Sequence, residues 1–346
     1  MNMTQNLSMS RALLAAMLAL GGLVGTSSLS AQSVTTAPVG AVSKTIPVGL
    51  SSLAVTLTNP NLLVASCSAN SSTVLTLTGV SNAGASLTAG LPYYVEAVSG
   101  SLEGDRFDVD TAATITAANG TVVLNLASSN NTFVLTTNVA AGTQFALRQH
   151  VTLSQVQAAC SAPLVGNNTA SLADQIQFLN AAGNGFVSYY LRGNGTEWRQ
   201  VGGLVNLNNT PVPAGTGILI SKKTSPVSIV MTGSVRTNHF ASPLAVGLSL
   251  KAAPYPVSYS PAGLNATQTL GWTPNNTASL ADQIQVLNSS GNGFVSYYLR
   301  SNGTEWRQVG GLTAVTTNSL FPYDSGYFVS RKTSDVNYVL TAPFTL

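Results

Sequence analysis

Apolar and polar residues alternate at period two along much of this chain, which is the spacing of a β-strand with one buried face. The pattern marks "STVLTLTGV", "PYYVEAV", "RFDVD", "GTVVLNLA" and "NTFVLTT", short strands separated by Gly, Asn and Ser between residues 33 and 160. They read as one N-terminal β-domain, with the Ala-rich "LSQVQAACSAPLVG" as its connector to the rest of the chain. Farther on, "DQIQFLN" sets Gln175 and Gln177 against Ile176 and Phe178. A helix started by a Ser171–Asp174 capping box is the alternative there, but the short length and the following "AAGNG" favour a strand entering a turn.

The second feature is a repeat. Residues 167–204 and 275–312 differ at four of 38 positions, and "GTGILISKKTS" (Gly215–Ser225) matches "DSGYFVSRKTS" (Asp324–Ser334) after a one-residue shift. A period of about 108 residues suits one small β-domain per copy. The expected organisation is a segment 1–31 that is removed, a β-domain over 33–160, a first β repeat over 161–236, and linker strands plus a second repeat over 237–346. "SPLAVGLSLKAAPYPVSYSPAG" (Ser242–Gly263) carries four prolines and reads as edge strand or extended linker.

Inside each copy, Asn194-Gly195 and Asn302-Gly303 predict a type I′ hairpin, which needs positive φ at both central residues. Pairing then runs outward through Arg192–Glu197, Leu191–Trp198 and Tyr190–Arg199, and through Arg300–Glu305, Leu299–Trp306 and Tyr298–Arg307. Trp198 and Trp306 point to the core. Arg192, Glu197, Arg300 and Glu305 form a water-facing ladder of opposite charges across the strands.

Composition narrows the setting. Arg11 is the only charge before the apolar run Ala12–Val24, and small polar residues follow, in the order of a secretory signal peptide. Cleavage after Ala31 is expected, with Ser30 the alternative. Thirteen apolar residues fall short of the ~20 that span a bilayer, and no later stretch is longer. Charged residues make up 7% of the chain, against roughly 25% in ordinary soluble domains. No basic stripe exists for nucleic acid, and so few charges offer little repulsion against self-association. After export Cys67 and Cys160 are expected to pair, closing a loop of about 93 residues for roughly 4–5 kcal/mol; two buried thiols are the alternative.

The order "YYV…SGSLEGDRFDV", then "YYLR…EWRQVGG", then a Pro/Gly turn leading to "GTGILISKK" or "SGYFVSRK", resembles a family of exported β-rich bacterial proteins. These occur in several copies per genome in verrucomicrobial bacteria. The resemblance implies a secreted or cell-surface setting and a β-architecture, and brings no activity, cofactor or catalytic residue.

Candidate chemistry is sparse. Glu103, Asp105, Asp108 and Asp110 offer oxygens for Ca²⁺ but lack the order of a calcium-loop helix pair, so an exposed strand face is the plainer expectation. His150 and His239 are the only histidines, and the chain has no Gly-x-Ser-x-Gly elbow, dinucleotide fingerprint or phosphate loop. No cofactor is expected. Lys222, Lys223, Arg331 and Lys332 would touch anionic glycans or, more simply, guard sheet edges against aggregation. Tyr190 and Tyr298 lie on the charged face and are open to either a buried or a sugar-stacking role. Taken together these readings point to an all-β, exported, non-enzymatic structural or adhesin-like protein whose partners are itself or a surface polysaccharide. A carbohydrate-binding protein with two equivalent aromatic platforms is the alternative, and a secreted hydrolase the third.

Overall fold

The computed structural model describes residues 38–132, 139–315 and 321–343. The expected signal segment 1–31 and most of the "NTFVLTT" strand candidate lie outside the described residues. The architecture is all-β and sandwich-like, and among the described residues the strand pairing is antiparallel and two short α-helices are present. The first repeat builds a five-stranded sheet from β2 (Gly49–Ala54), β10 (Gln175–Leu179), β11 (Phe186–Leu191), β12 (Trp198–Gln200) and β14 (Gly217–Lys222), in the order β12-β11-β10-β14-β2. The second builds its counterpart from β17 (Gly247–Ala252), β18 (Gln283–Leu287), β19 (Phe294–Leu299), β20 (Trp306–Gln308) and β21 (Gly326–Arg331), in the order β17-β21-β18-β19-β20. A two-stranded ribbon accompanies each sheet: β1 (Val39–Ile46) with β15 (Val227–Ser234), and β16 (Phe240–Leu244) with β22 (Val336–Leu340).

Strands β1 and β2, placed in the N-terminal domain by the sequence reading, thus lie in the sheets of the first repeat. What separates β2 from β10 is a six-stranded sheet of its own. It comprises β3 (Asn61–Asn70), β4 (Val74–Leu77), β5 (Tyr93–Ala97), β6 (Arg106–Asp108), β7 (Thr121–Val123) and β8 (Gln144–Gln149), with α1 (Thr111–Thr116) beside it. A short pair, β9 (Val151–Thr152) with β13 (Pro211–Val212), and helix α2 (Leu153–Ala158) return the chain to the first sheet. The Pro-rich stretch after the first copy holds the end of β16 and the edge strand β17, in line with the edge-strand reading.

Alternation sorts the side chains. In the first sheet Ile176, Leu191, Trp198, Ile218 and Ile220 face inward and pack with Ile46, Val227 and Ile229 of the ribbon. Each such side chain removed from water contributes about 1.5–3 kcal/mol. The opposite face is also used, because Leu50, Leu179 and Leu219 meet Leu248, Leu250 and Phe328 of the second sheet. The two repeats therefore pack on each other. At their crossing the backbone N–H of Ala54 donates to Asp324 O (3.0 Å) and that of Ala252 to Gly215 O (2.9 Å), equivalent bonds in opposite directions. The approach is close enough to need glycine: a Cβ on Gly217 would lie 2.6 Å from Lys251 O and 3.0 Å from the Cα of Gly326.

Candidate functional site

The repeated hairpin has the expected register but not the expected turn. Leu191 pairs with Trp198 and Tyr190 with Arg199, and likewise Leu299 with Trp306 and Tyr298 with Arg307. Only the glycine of each Asn-Gly pair has positive φ (Gly195 72°, Gly303 77°). The loop is four residues long, Gly193–Thr196, closed by the Arg192 N–H donating to Glu197 O at 2.8 Å. Asn194 serves through its side chain instead, its Oδ1 accepting from the backbone N–H of Thr196 and Glu197; Asn302 does the same for Thr304 and Glu305.

Trp198 and Trp306 are buried, as predicted. Their indole N–H groups donate to Gln157 Oε1 (2.7 Å) and Ala266 O (2.8 Å). The charge ladder is rearranged: Glu197 pairs with Arg199 two residues along its own strand (2.8 Å), and Glu305 with Arg307, while the cross-strand Arg192 contributes only its field. The side-chain bond from Arg199 holds the Glu197 carboxyl below its ordinary value, and Arg307 does so for Glu305. In the second copy Arg300 Nη1 instead donates to Tyr298 Oη (3.3 Å). Tyr190 and Tyr298 are buried, each 7% exposed, so neither is a platform for a ligand.

Lys222 and Arg331 correct a further expectation. Strands β14 and β21 are internal to their sheets, and these side chains are buried, not edge guards or glycan contacts. Lys222 Nζ meets Asp174 Oδ2 at 2.6 Å, and Arg331 makes the matching pair with Asp282. Each carboxylate also accepts two backbone N–H groups, from Val165 and Lys223 (both 2.7 Å) or from Thr273 (2.7 Å) and Lys332 (2.8 Å). Lys223 is half-buried and Lys332 exposed.

Among the described residues the carboxylates of the acidic stretch do not converge into a cluster that could hold a metal ion. Asp110 caps α1 by accepting from the Ala113 N–H, Glu103 accepts from the His239 N–H, and Asp105 accepts from the Thr132 hydroxyl. Asp108 holds His150 Nε2 at 2.8 Å and also accepts from Ser128 and Asn130. Burial pushes the Asp108 carboxyl up, but His150, Asn130 and Ser128 outweigh it and leave it below its ordinary value. A depressed carboxyl contributes stability that is complete above the usual carboxylate range near pH ~4 and is lost as pH falls through the lowered value. We expect the urea midpoint to fall on acidification below about pH 4, and this dependence to flatten in Asp108→Asn; an equally steep fall in the variant would contradict the assignment.

Cys67 and Cys160 are free thiols, and the expected disulfide is absent. The reason is topological: Cys67 belongs to the core of the six-stranded sheet, whereas Cys160 packs at the margin of the first repeat's core. Burial pushes the Cys160 thiol up to about 11.

A buried ionic cluster joins the six-stranded sheet to the second repeat. Glu96 of β5 contacts Arg236, accepts from Asn238 Nδ2 (3.1 Å), and lies 3.8 Å from Arg148. Arg106 stacks 4.1 Å above the Phe240 ring, and burial lowers it to about 10. These contacts are structural.

The surface that sequence reasoning missed lies on the outer face of β10–β12. A shallow groove of about 470 Å³ is lined by Ala170, Ser171, Gln175, Phe186, Val187, Ser188, Gln200 and Val201. All eight residues recur 108 positions later, from Ala278 to Val309. Large apolar side chains stay exposed there to the same degree in both copies: Phe186 45% and Phe294 47%, Val201 48% and Val309 45%, Leu172 and Leu280 both 59%. Exposed turn residues nearby do vary, Ala181, Ala182 and Gly193 facing Ser289, Ser290 and Ser301, and strand β14, "GILISK", has drifted against β21, "GYFVSR". The usable signal was the unchanged recurrence of this face beside turns that vary.

Comparison with protein-family models, curated proteins and solved structures gives no match. Among the described residues no helix is long and apolar enough to cross a membrane.

Proposed function

We propose that this chain is an exported, non-enzymatic β-protein that works at the cell surface or in the extracellular matrix, as a scaffold with an adhesin-like face. One observation carries the reading: the groove lining recurs residue for residue in the second copy, and its large apolar members stay equally exposed there, Phe186 like Phe294 and Val201 like Val309. Surface positions under no demand but folding tolerate substitution far better than core positions. A duplicated, unvaried, partly apolar face is the form of a surface kept for contact. The buried tryptophans, the paired Lys222–Asp174 and Arg331–Asp282 bridges and the shared interface between repeats supply the rigid frame that presents it.

Export is tested by labelling intact producing cells with a membrane-impermeant amine reagent and sequencing the N-terminus of the labelled chain. The reading predicts surface label and a start close to Gln32. Protein that is unlabelled on intact cells and still carries residues 1–31 would overturn it.

A further inference from the structure

The groove, whose lining residues recur in the second copy, has a chemistry that goes beyond adhesion in general. On its face the register aligns Gln177 with Ser188 and Leu179 with Phe186, and Gln285 with Ser296 and Leu287 with Phe294. The amides are held in a row from the protein side. Gln175 Nε2 donates to Ala170 O (2.7 Å) and Gln177 Nε2 to Gln175 Oε1 (3.2 Å), and the second copy repeats both bonds at 2.6 and 3.2 Å. Fixed in this way, each glutamine has remaining N–H or carbonyl capacity for a ligand. No lining residue is charged. The nearby arginines of β12 and β20 are matched by Glu197 and Glu305.

Beside the amides stand the half-exposed rings of Phe186 and Phe294. Both contact the same buried ring, Phe328, edge to face, at 6.3 and 5.1 Å. Both copies therefore bring a half-exposed aromatic ring to the same residue, which sets the two equivalent faces next to each other. An open, neutral surface of oriented amides, hydroxyls and flat apolar rings matches the neutral hydroxyls and C–H faces of a sugar chain. It does not match an ionic ligand, and it is too shallow to enclose a small molecule.

Resting on the adhesive reading above, we propose that Phe186 and Phe294, with Gln175, Gln177, Gln283 and Gln285, form one bipartite site for a neutral polysaccharide. Two adjoining subsites on one chain raise weak single-site affinity through effective concentration.

The test is affinity electrophoresis of the full exported chain in gels containing xyloglucan, galactomannan, xylan or laminarin, with alginate as the acidic control. We expect retardation by at least one neutral polymer, unchanged at about 0.5 M NaCl because no ion pair is involved. Phe186→Ala or Phe294→Ala should weaken apparent affinity by at least about tenfold, and the double variant should abolish it. Both rings are half-exposed, so unchanged circular dichroism serves as the folding control. The inference is overturned if none of the four neutral polymers retards the protein, if the double variant is retarded like wild type, or if only alginate retards it. It is equally overturned if the double substitution changes oligomeric mass alone, which would make the face a self-association surface. Attachment to producing cells, measured in parallel, separates the two claims: attachment without polysaccharide binding sinks the ligand assignment and leaves the adhesive reading standing.

Discussion

Asp174→Ala is expected to cost about 3–5 kcal/mol, the loss that comes when one partner of a buried pair is removed and a charge is left uncompensated. The side chains of Asp174 and Lys222 are each 1% exposed, so water cannot replace the lost carboxylate without opening the sheet. The same substitution also orphans the N–H groups of Val165 and Lys223, untying three chain segments at once. Lys222→Met should cost less, because the carboxylate keeps both backbone donors and the methionine stem fills much of the lysine volume. In the second copy Asp282→Ala should behave as Asp174→Ala does. Arg331→Met should cost more than Lys222→Met, since Arg331 also donates to Gly271 O and Ser334 O and lies 5.0 Å from the Trp272 ring centre. Urea unfolding followed by tryptophan fluorescence reads all four; an Asp174→Ala midpoint equal to wild type would refute the pairing.

Glu96→Ala is the second large effect, again about 3–5 kcal/mol by the same reasoning. Its carboxylate is fully buried and faces Arg236, Arg148 and Asn238. Truncation leaves buried cations on both sides of the junction between the six-stranded sheet and the second repeat. The loss should therefore show first as separation of the two parts, seen as new proteolytic cleavage between β15 and β16 before global unfolding. Glu96→Gln, which keeps one acceptor but no charge, should fall between alanine and wild type. Glu197→Ala, at the half-buried Arg199 pair, should move the midpoint far less. If Glu96→Ala and Glu197→Ala behave alike, the junction is not held by this cluster.

Much of the architecture was legible from residues alone. Alternation identified β4 to β7 and β10 but missed β1, β2, β3 and β8, and the Leu191–Trp198 pairing correctly turned the tryptophans inward. Other features required long-range information. Lys222 and Lys223 look like edge guards until Asp174, 48 residues upstream of Lys222, is brought against it by the β10–β14 pairing. The interruption of the first repeat was signalled only by "VGLSSLA" (Val48–Ala54) against "VGLSLKA" (Val246–Ala252), two seven-residue strings 198 positions apart. The groove was hidden for another reason. In strand β11, "FVSYYL", Phe186 and Tyr190 share one face, so alternation could not say that Phe186 stays open while Tyr190 is covered. The Asn-Gly turn was misjudged because Asn194 acts through its side-chain oxygen, which satisfies two N–H groups without needing positive φ.

The central claim is that the unvaried face of the two copies is a working surface and not part of the frame. Its most direct test is the Phe186→Ala/Phe294→Ala double variant, with its thermal midpoint and its retention on the producing cell measured together. Retention lost at an unchanged midpoint is the predicted result. Full retention, or a midpoint that collapses along with it, would show that these rings serve the fold and nothing beyond it.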